Sequence, residues 1–143
     1  MTRIDGTSRL LMAQTGRVVT AAMAQEGFAG EVALLGHSMA TDIIIRTALE
    51  DARIGPVVVI SAFSQAVTAT EPDNLLLITG AWEAGLRSFA RAAVAMVAPG
   101  AGEGDTVQAG AVTRRAVVAP WSEHVAVLHS RLGRAEAIGW LDA

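Results

Sequence analysis

Four short apolar runs, separated by stretches with helical periodicity, constrain this chain more than anything else in it. They are Val32-Ala33-Leu34-Leu35, Val57-Val58-Val59-Ile60, Leu75-Leu76-Leu77-Ile78 and Ala116-Val117-Val118-Ala119. The second, following Gly55-Pro56, has no polar position at all, which is the pattern of a strand buried on both faces. The third is preceded by a turn at Glu71-Pro72-Asp73-Asn74 and runs on to Thr79-Gly80. Between the runs the period changes. Ser8 to Glu26 carries Leu11, Val18 and Ala22 with Leu10, Val19 and Met23 beside them, an amphipathic helix closed by Gly27. A second helix runs through Ile43, Ile44, Ile45 and Ala48, a third from Ala84 to Val97 before Pro99-Gly100, and a last one from about Arg131 to Leu141. Strands alternating with helices predict an α/β fold of three layers, a mostly parallel sheet covered by helices on both faces.

Composition narrows the class. At 143 residues the chain reads as one domain, 1–143, large enough to bury a core without staples. It is 52% hydrophobic and 17% charged, the balance of a well-buried globular chain. No run approaches the roughly 18 apolar residues that span a bilayer, and Met1-Thr2-Arg3-Ile4-Asp5-Gly6 lacks the layout of a signal peptide, so no membrane and a cytoplasmic location are expected. Cysteine is absent, and the three histidines show no metal-ligand spacing, so neither a metal nor a cofactor is expected. All 11 basic residues are arginine, but they are scattered and the net charge is −3, which is no nucleic-acid footprint.

One segment carries chemistry. Gly36-His37-Ser38-Met39-Ala40 joins the first apolar run directly to the second helix. A serine at such a strand-to-helix turn is lifted above the sheet at the positive end of the helix dipole, and small residues two before and two after it let the backbone fold back. The competing role for Ser38 is an ordinary helix N-cap. A serine hydroxyl is a weak nucleophile at neutral pH and needs a base. His124, after a strand end and Pro120, is better placed for that than His129, which lies on the approach to the last helix. The base in turn needs a carboxylate to fix its tautomer. Glu83 lies just past the carboxyl end of a strand, where sites in open α/β sheets gather, although a helix-start glutamate complementing the dipole is its alternative. Glu123 is the weaker candidate because adjacent loop residues diverge, and Ser61 to Thr70 offers no carboxylate. His37 reads as a neighbour that shapes the turn or a pocket residue, and Trp82 and Trp121 either wall a substrate pocket or anchor packing. Gly100-Ala101-Gly102-Glu103-Gly104-Asp105 follows a helix and lacks the Lys-Ser/Thr of a phosphate loop, so it reads as a flexible surface loop.

From about Glu31 onward the chain resembles the α/β-hydrolase family. Gly36-His37-Ser38-Met39-Ala40 is similar to its nucleophile elbow, with Ala40 where glycine is usual. Gly80-Ala81-Trp82-Glu83 resembles the acid loop after the family's seventh strand, with Glu for the commoner Asp, and Ala119-Pro120-Trp121-Ser122-Glu123-His124 resembles the histidine loop after the eighth. The chain order serine, acid, histidine is the family's order. The resemblance implies a serine hydrolase of esterase or thioesterase type acting through an acyl-enzyme, with Ser38, His124 and Glu83 as triad and the backbone N–H of Met39 as an oxyanion donor. It also implies that the chain corresponds to the C-terminal half of the fold, with roughly the first four strands and the second oxyanion donor lacking and no room for a cap. Two functions follow as expectations: a hydrolase of small esters or thioesters, or a catalytically weak module that needs a partner chain to complete it. In the family's sheet order the elbow strand is central, so Val32 to Leu35 should present an unpaired edge that recruits a second copy or a complementary N-terminal segment.

Overall fold

The computed structural model describes residues 5–143; the Met1 to Ile4 part of the N-terminal reading lies outside them. The chain runs α1 (Gly6–Met23), β1 (Val32–His37), α2 (Met39–Glu50), β2 (Ile54–Ile60), β3 (Asn74–Gly80), α3 (Ala84–Ala95), β4 (Thr106–Ala109), β5 (Val112–Ala119), a 3-10 turn (Ala126–His129) and α4 (Arg131–Leu141). The strands form one five-stranded sheet in the order β1-β2-β3-β5-β4, with β1, β2, β3 and β5 parallel and β4 antiparallel to β5. This is the mostly parallel three-layer α/β fold that the alternating pattern predicts.

The continuous apolar runs end up where both faces are covered. Val57 and Val59, with Leu75 and Leu77, face the layer built by Val19 of α1, Ile44 and Ile45 of α2 and Ala90, Ala93 and Val94 of α3. Val58, Ile60, Leu76 and Ile78 face the other way, toward Val127 of the 3-10 turn and Ala137 of α4. Adjacent residues of one strand thus sit in two separate cores, so both faces of Val57–Ile60 and Leu75–Ile78 call for apolar side chains. Fully burying one such side chain stabilises the fold by about 1.5–3 kcal/mol.

The edges differ from the centre. β1 pairs with β2 alone, and its exposure alternates, leaving Ala33 and Leu35 open to solvent. β2 begins earlier than its apolar run predicts, at Ile54, with Pro56 inside it. Pairing Val32 with Ile54 and Leu34 with Val57 leaves an extra residue on β2, an irregularity that accommodates a residue with no N–H to donate. β4 is absent from the sequence reading: Thr106 to Ala109 is short, and only Val107 of it is buried, so it carries no apolar run. It is an edge strand folded back on β5 through Gly110-Ala111, with Gly110 at a φ of +58°. α1 stops at Met23, ahead of Gly27: the Ala24 N–H makes a last α-type bond to the Thr20 carbonyl, and the Gln25 N–H then bonds the Ala22 carbonyl three residues back, which tightens the chain into a turn. No helix among the described residues is long and apolar enough to cross a membrane.

The parallel strands end together. In register, His37 pairs with Ile60, Ile60 with Ile78, and Gly80 with Ala119. The segments after β1, β2, β3 and β5 therefore emerge side by side at the carboxyl edge of the sheet, bringing residues 38, 61, 83 and 124 within reach of one another.

Candidate functional site

Ser38 occupies the step between β1 and α2 at φ 57°, ψ −125°, a backbone conformation that costs a non-glycine residue about 1–3 kcal/mol. Surrounding bonds hold it there. The Ser38 N–H donates to the Ile60 carbonyl at 2.9 Å, and the Ser38 carbonyl accepts from the Thr41 N–H at 3.0 Å and the Thr41 hydroxyl at 2.6 Å. A Cβ on Gly36 would lie 2.9 Å from Cδ1 of Ile44 and 3.5 Å from Cβ of Ala40. The glycine before the serine thus makes room for Ile44 of α2, while Ala40 lies at ordinary contact distance. The Ser38 side chain caps nothing, so the N-cap alternative does not describe it. Its hydroxyl instead lies 2.8 Å from Nε2 of His124.

His124 continues the chain of bonds. Its Nδ1 is 2.6 Å from Oε1 of Glu83, so an Nδ1–H tautomer donates to the carboxylate and leaves Nε2 to accept from Ser38. The Glu83 side chain is only 6% exposed, against 46% for that of His124. A carboxylate this buried needs donors on both oxygens, and it has them: Oε2 accepts the Ser61 hydroxyl at 2.8 Å and the Gly80 N–H at 2.7 Å. Glu83 heads α3 without capping it. The segment after β2, Ser61 to Thr70, holds no carboxylate, and no sequence signal marks Ser61. A serine there serves the acid from across the sheet, and its φ of 53° is the second strained serine at this edge.

The loops carrying these groups are tied together. The Trp82 N–H donates to the Ser122 carbonyl at 3.1 Å and the Ala81 N–H to the Ala119 carbonyl at 2.9 Å. Arg87 bonds the Ala81 carbonyl while its fork grips Glu103, so the glycine-rich segment that reads as a free surface loop is pinned to the acid loop. The Arg87 guanidinium holds the Glu103 carboxyl below its ordinary pKa. His37, on the far side of the elbow, donates from Nε2 to the carbonyl of His124 at 2.7 Å, its ring 4.8 Å from the His124 ring. Its role is to hold the backbone of the imidazole loop.

Gly80 sits at the tightest joint. A Cβ there would fall 2.4 Å from the Ser122 carbonyl oxygen and 3.2 Å from Oε2 of Glu83. Gly80→Ala is expected to lower stability by about 1–3 kcal/mol and to disorder the Glu83–His124 bond, because the obstacle is backbone and cannot rotate away. A thermal melt with unchanged Tm would contradict this packing.

Glu123 turns elsewhere. Its carboxylate accepts the Val125 N–H at 3.1 Å and the Ala126 N–H at 2.8 Å, which lower its pKa, and it serves the start of the 3-10 turn. His129 is exposed on that turn. Trp82 and Trp121 point into solvent, 64% and 82% exposed, and neither borders the cavity beside Ser38. That cavity, about 460 Å³, is walled instead by Met39, Ile43, Phe63 and Leu86 together with Asp42, Arg46 and Gln65. Phe63 and the helix positions lie outside any motif; only the place of Phe63, three residues past the end of β2, hints at it. The Met39 and Ala40 N–H groups, at the first two positions of α2, have no intrahelical acceptor and face the same end. A second cavity of about 500 Å³, at the amino ends of the strands, holds Glu31, Glu71 and Asp73 but no nucleophile or base. Among the described residues no group of His, Asp and Glu is arranged to hold a metal ion.

Comparison with known proteins gave no match to a family model, to a curated protein or to a solved structure. The geometry of the site must therefore carry the functional reading by itself.

Proposed function

We propose that this chain is a serine hydrolase of carboxylic esters or thioesters, of the α/β-hydrolase type. The observation that carries the reading is the continuous chain of hydrogen bonds from the Ser38 hydroxyl through both ring nitrogens of His124 to a buried, doubly anchored Glu83. A structural serine needs no such arrangement. Ser38 Oγ attacks the acyl carbon as its proton passes to Nε2 of His124, and Glu83 stabilises the imidazolium that forms. The tetrahedral oxyanion sits against the Met39 N–H at the start of α2, where the helix dipole favours negative charge. Collapse of the intermediate breaks the bond to the leaving oxygen or sulfur, which takes the proton from His124 and departs as alcohol or thiol. Water then attacks the acyl-Ser38 carbonyl, its proton going to His124. The acid leaves, and the proton returns to Ser38. Electrons and atoms balance without metal or cofactor. The purified chain should turn over p-nitrophenyl acetate in the presence of a chelator; absence of turnover above buffer would count against it.

A second reading keeps the same site but makes the isolated chain a weak module. It is favoured by the open edge of β1, where Leu35 is 53% exposed, and by the single family-type oxyanion donor. Unpaired strand edges with apolar side chains recruit partners. The chain is therefore expected to self-associate, or to bind a segment that adds a strand beside β1, with activity rising as the edge is covered. Light scattering that finds only monomer, with slow amide exchange along Val32–His37, would overturn this. A cytoplasmic location completes the proposal.

A further inference from the structure

Beyond Ser38 the cavity does not continue as an apolar slot. Met39, Ile43, Phe63 and Leu86 share its lining with the polar Asp42, Gln65 and Arg46 of α2. Arg46 is held from one side only. Its Nε contacts both carboxylate oxygens of Asp42, at 3.0 and 2.9 Å, and Asp42 is fixed in turn by the Ser64 hydroxyl at 2.6 Å, with Ser64 itself buried. The two terminal nitrogens of the guanidinium make no hydrogen bond among the described residues, yet the side chain is only 16% exposed. These nitrogens stay solvent-accessible, so an incoming anion can reach them while the stem of the side chain is packed down. Here Nε is braced by Asp42 in a residue that lines the cavity, and a planar guanidinium so held keeps its terminal donors available to a carboxylate.

Resting on the hydrolase reading above, we infer that Arg46 recognises an anionic group at the far end of the acyl chain, so the preferred substrates are monoesters or monothioesters of short dicarboxylic acids. The length follows from the helix. Asp42 is four residues beyond Ser38, about 6 Å along the axis at 1.5 Å per residue. Arg46 lies one turn further but its side chain leans back toward Asp42, as helical side chains do. With carbon–carbon bonds near 1.5 Å, that distance is the reach of a chain of about five or six carbons. Its methylenes would lie on Ile43, Phe63 and Leu86. Asp42 keeps its charge and offsets part of that of Arg46, so the distal carboxylate is held by the directed donors of the guanidinium more than by net charge.

The test compares p-nitrophenyl hydrogen adipate with p-nitrophenyl hexanoate, which match in carbon count and leaving group. The kcat/KM ratio of adipate to hexanoate should exceed one by roughly ten- to a hundredfold, the worth of a charge-assisted pair, fall as salt is raised, and collapse toward one in Arg46→Met; Arg46→Lys should restore part of it. Binding is measured separately on Ser38→Ala by calorimetry, with methyl hydrogen adipate expected to bind and dimethyl adipate not, and with Arg46→Met in the same background abolishing the difference. Equal treatment of the two p-nitrophenyl esters, or a ratio unmoved by Arg46→Met, overturns the inference while leaving Ser38 chemistry intact. If neither ester is hydrolysed, the hydrolase reading fails, and the calorimetric comparison alone decides whether Arg46 holds the carboxylate.

Discussion

Replacing Ser38 by alanine is expected to bring ester hydrolysis down to the buffer rate, a loss on the order of 10³-fold or more. The size follows from what the hydroxyl does. It supplies the bond-forming atom, so its removal leaves only binding and the oxyanion donor to assist water. Stability should hardly change, because the Ser38 side chain caps no helix and the elbow is held by backbone bonds to Ile60 and Thr41 that alanine keeps. Near-equal melting curves with lost turnover would separate chemistry from folding. If Ser38→Ala hydrolysed p-nitrophenyl acetate as fast as the parent, Ser38 would not be the nucleophile.

Glu83→Gln should cost nearly as much, about 10²–10⁴ in kcat, though the variant is isosteric. Both carboxylate oxygens accept: Oε2 from Ser61 and the Gly80 N–H, Oε1 from His124. A glutamine can accept on one side only. The Gly80 N–H cannot reverse, so the amide oxygen turns toward it and the NH₂ meets Nδ1 of His124. That forces the proton onto Nε2, pointing it at Ser38, and the imidazole can no longer take the serine proton. Nitrogen NMR of His124 should report Nδ1–H in the parent and Nε2–H in Glu83→Gln. The same tautomer in both, or unaltered kcat, would show that Glu83 does not orient the base.

The legible parts of the fold were those where burial leaves no choice. β3 and α4 match their predicted limits because Leu75 to Ile78 touch two cores at once and Ser130 caps α4 by accepting the Gly133 N–H. β4 was not legible, since an edge strand with one buried side chain has no pattern to show. At the site, Ser38, Glu83 and His124 could be picked out because each follows a strand's carboxyl end, and a parallel sheet gathers those ends. Ser61 and Arg46 could not, and His37, read as shaping the turn or lining a pocket, does not border the cavity and bonds the loop of His124 instead. Ser61 acts on Glu83 across a strand pair, His37 acts through the backbone of residue 124, and Arg46 matters only because Asp42 braces it. Each is a relation between elements that are distant in the chain or lie on one helix face, and no local pattern encodes it. Trp82 and Trp121 drew attention as large aromatics beside the partner loops, but their positions carry them outward.

The central claim is that the site raises the nucleophilicity of one particular hydroxyl, and a fluorophosphonate probe reads that directly. Folded protein treated with the probe and analysed by mass spectrometry should carry one adduct, on Ser38, formed slowly or not at all in Glu83→Gln and not formed on protein denatured before treatment. No adduct on folded protein, or one on a different serine, would contradict the account.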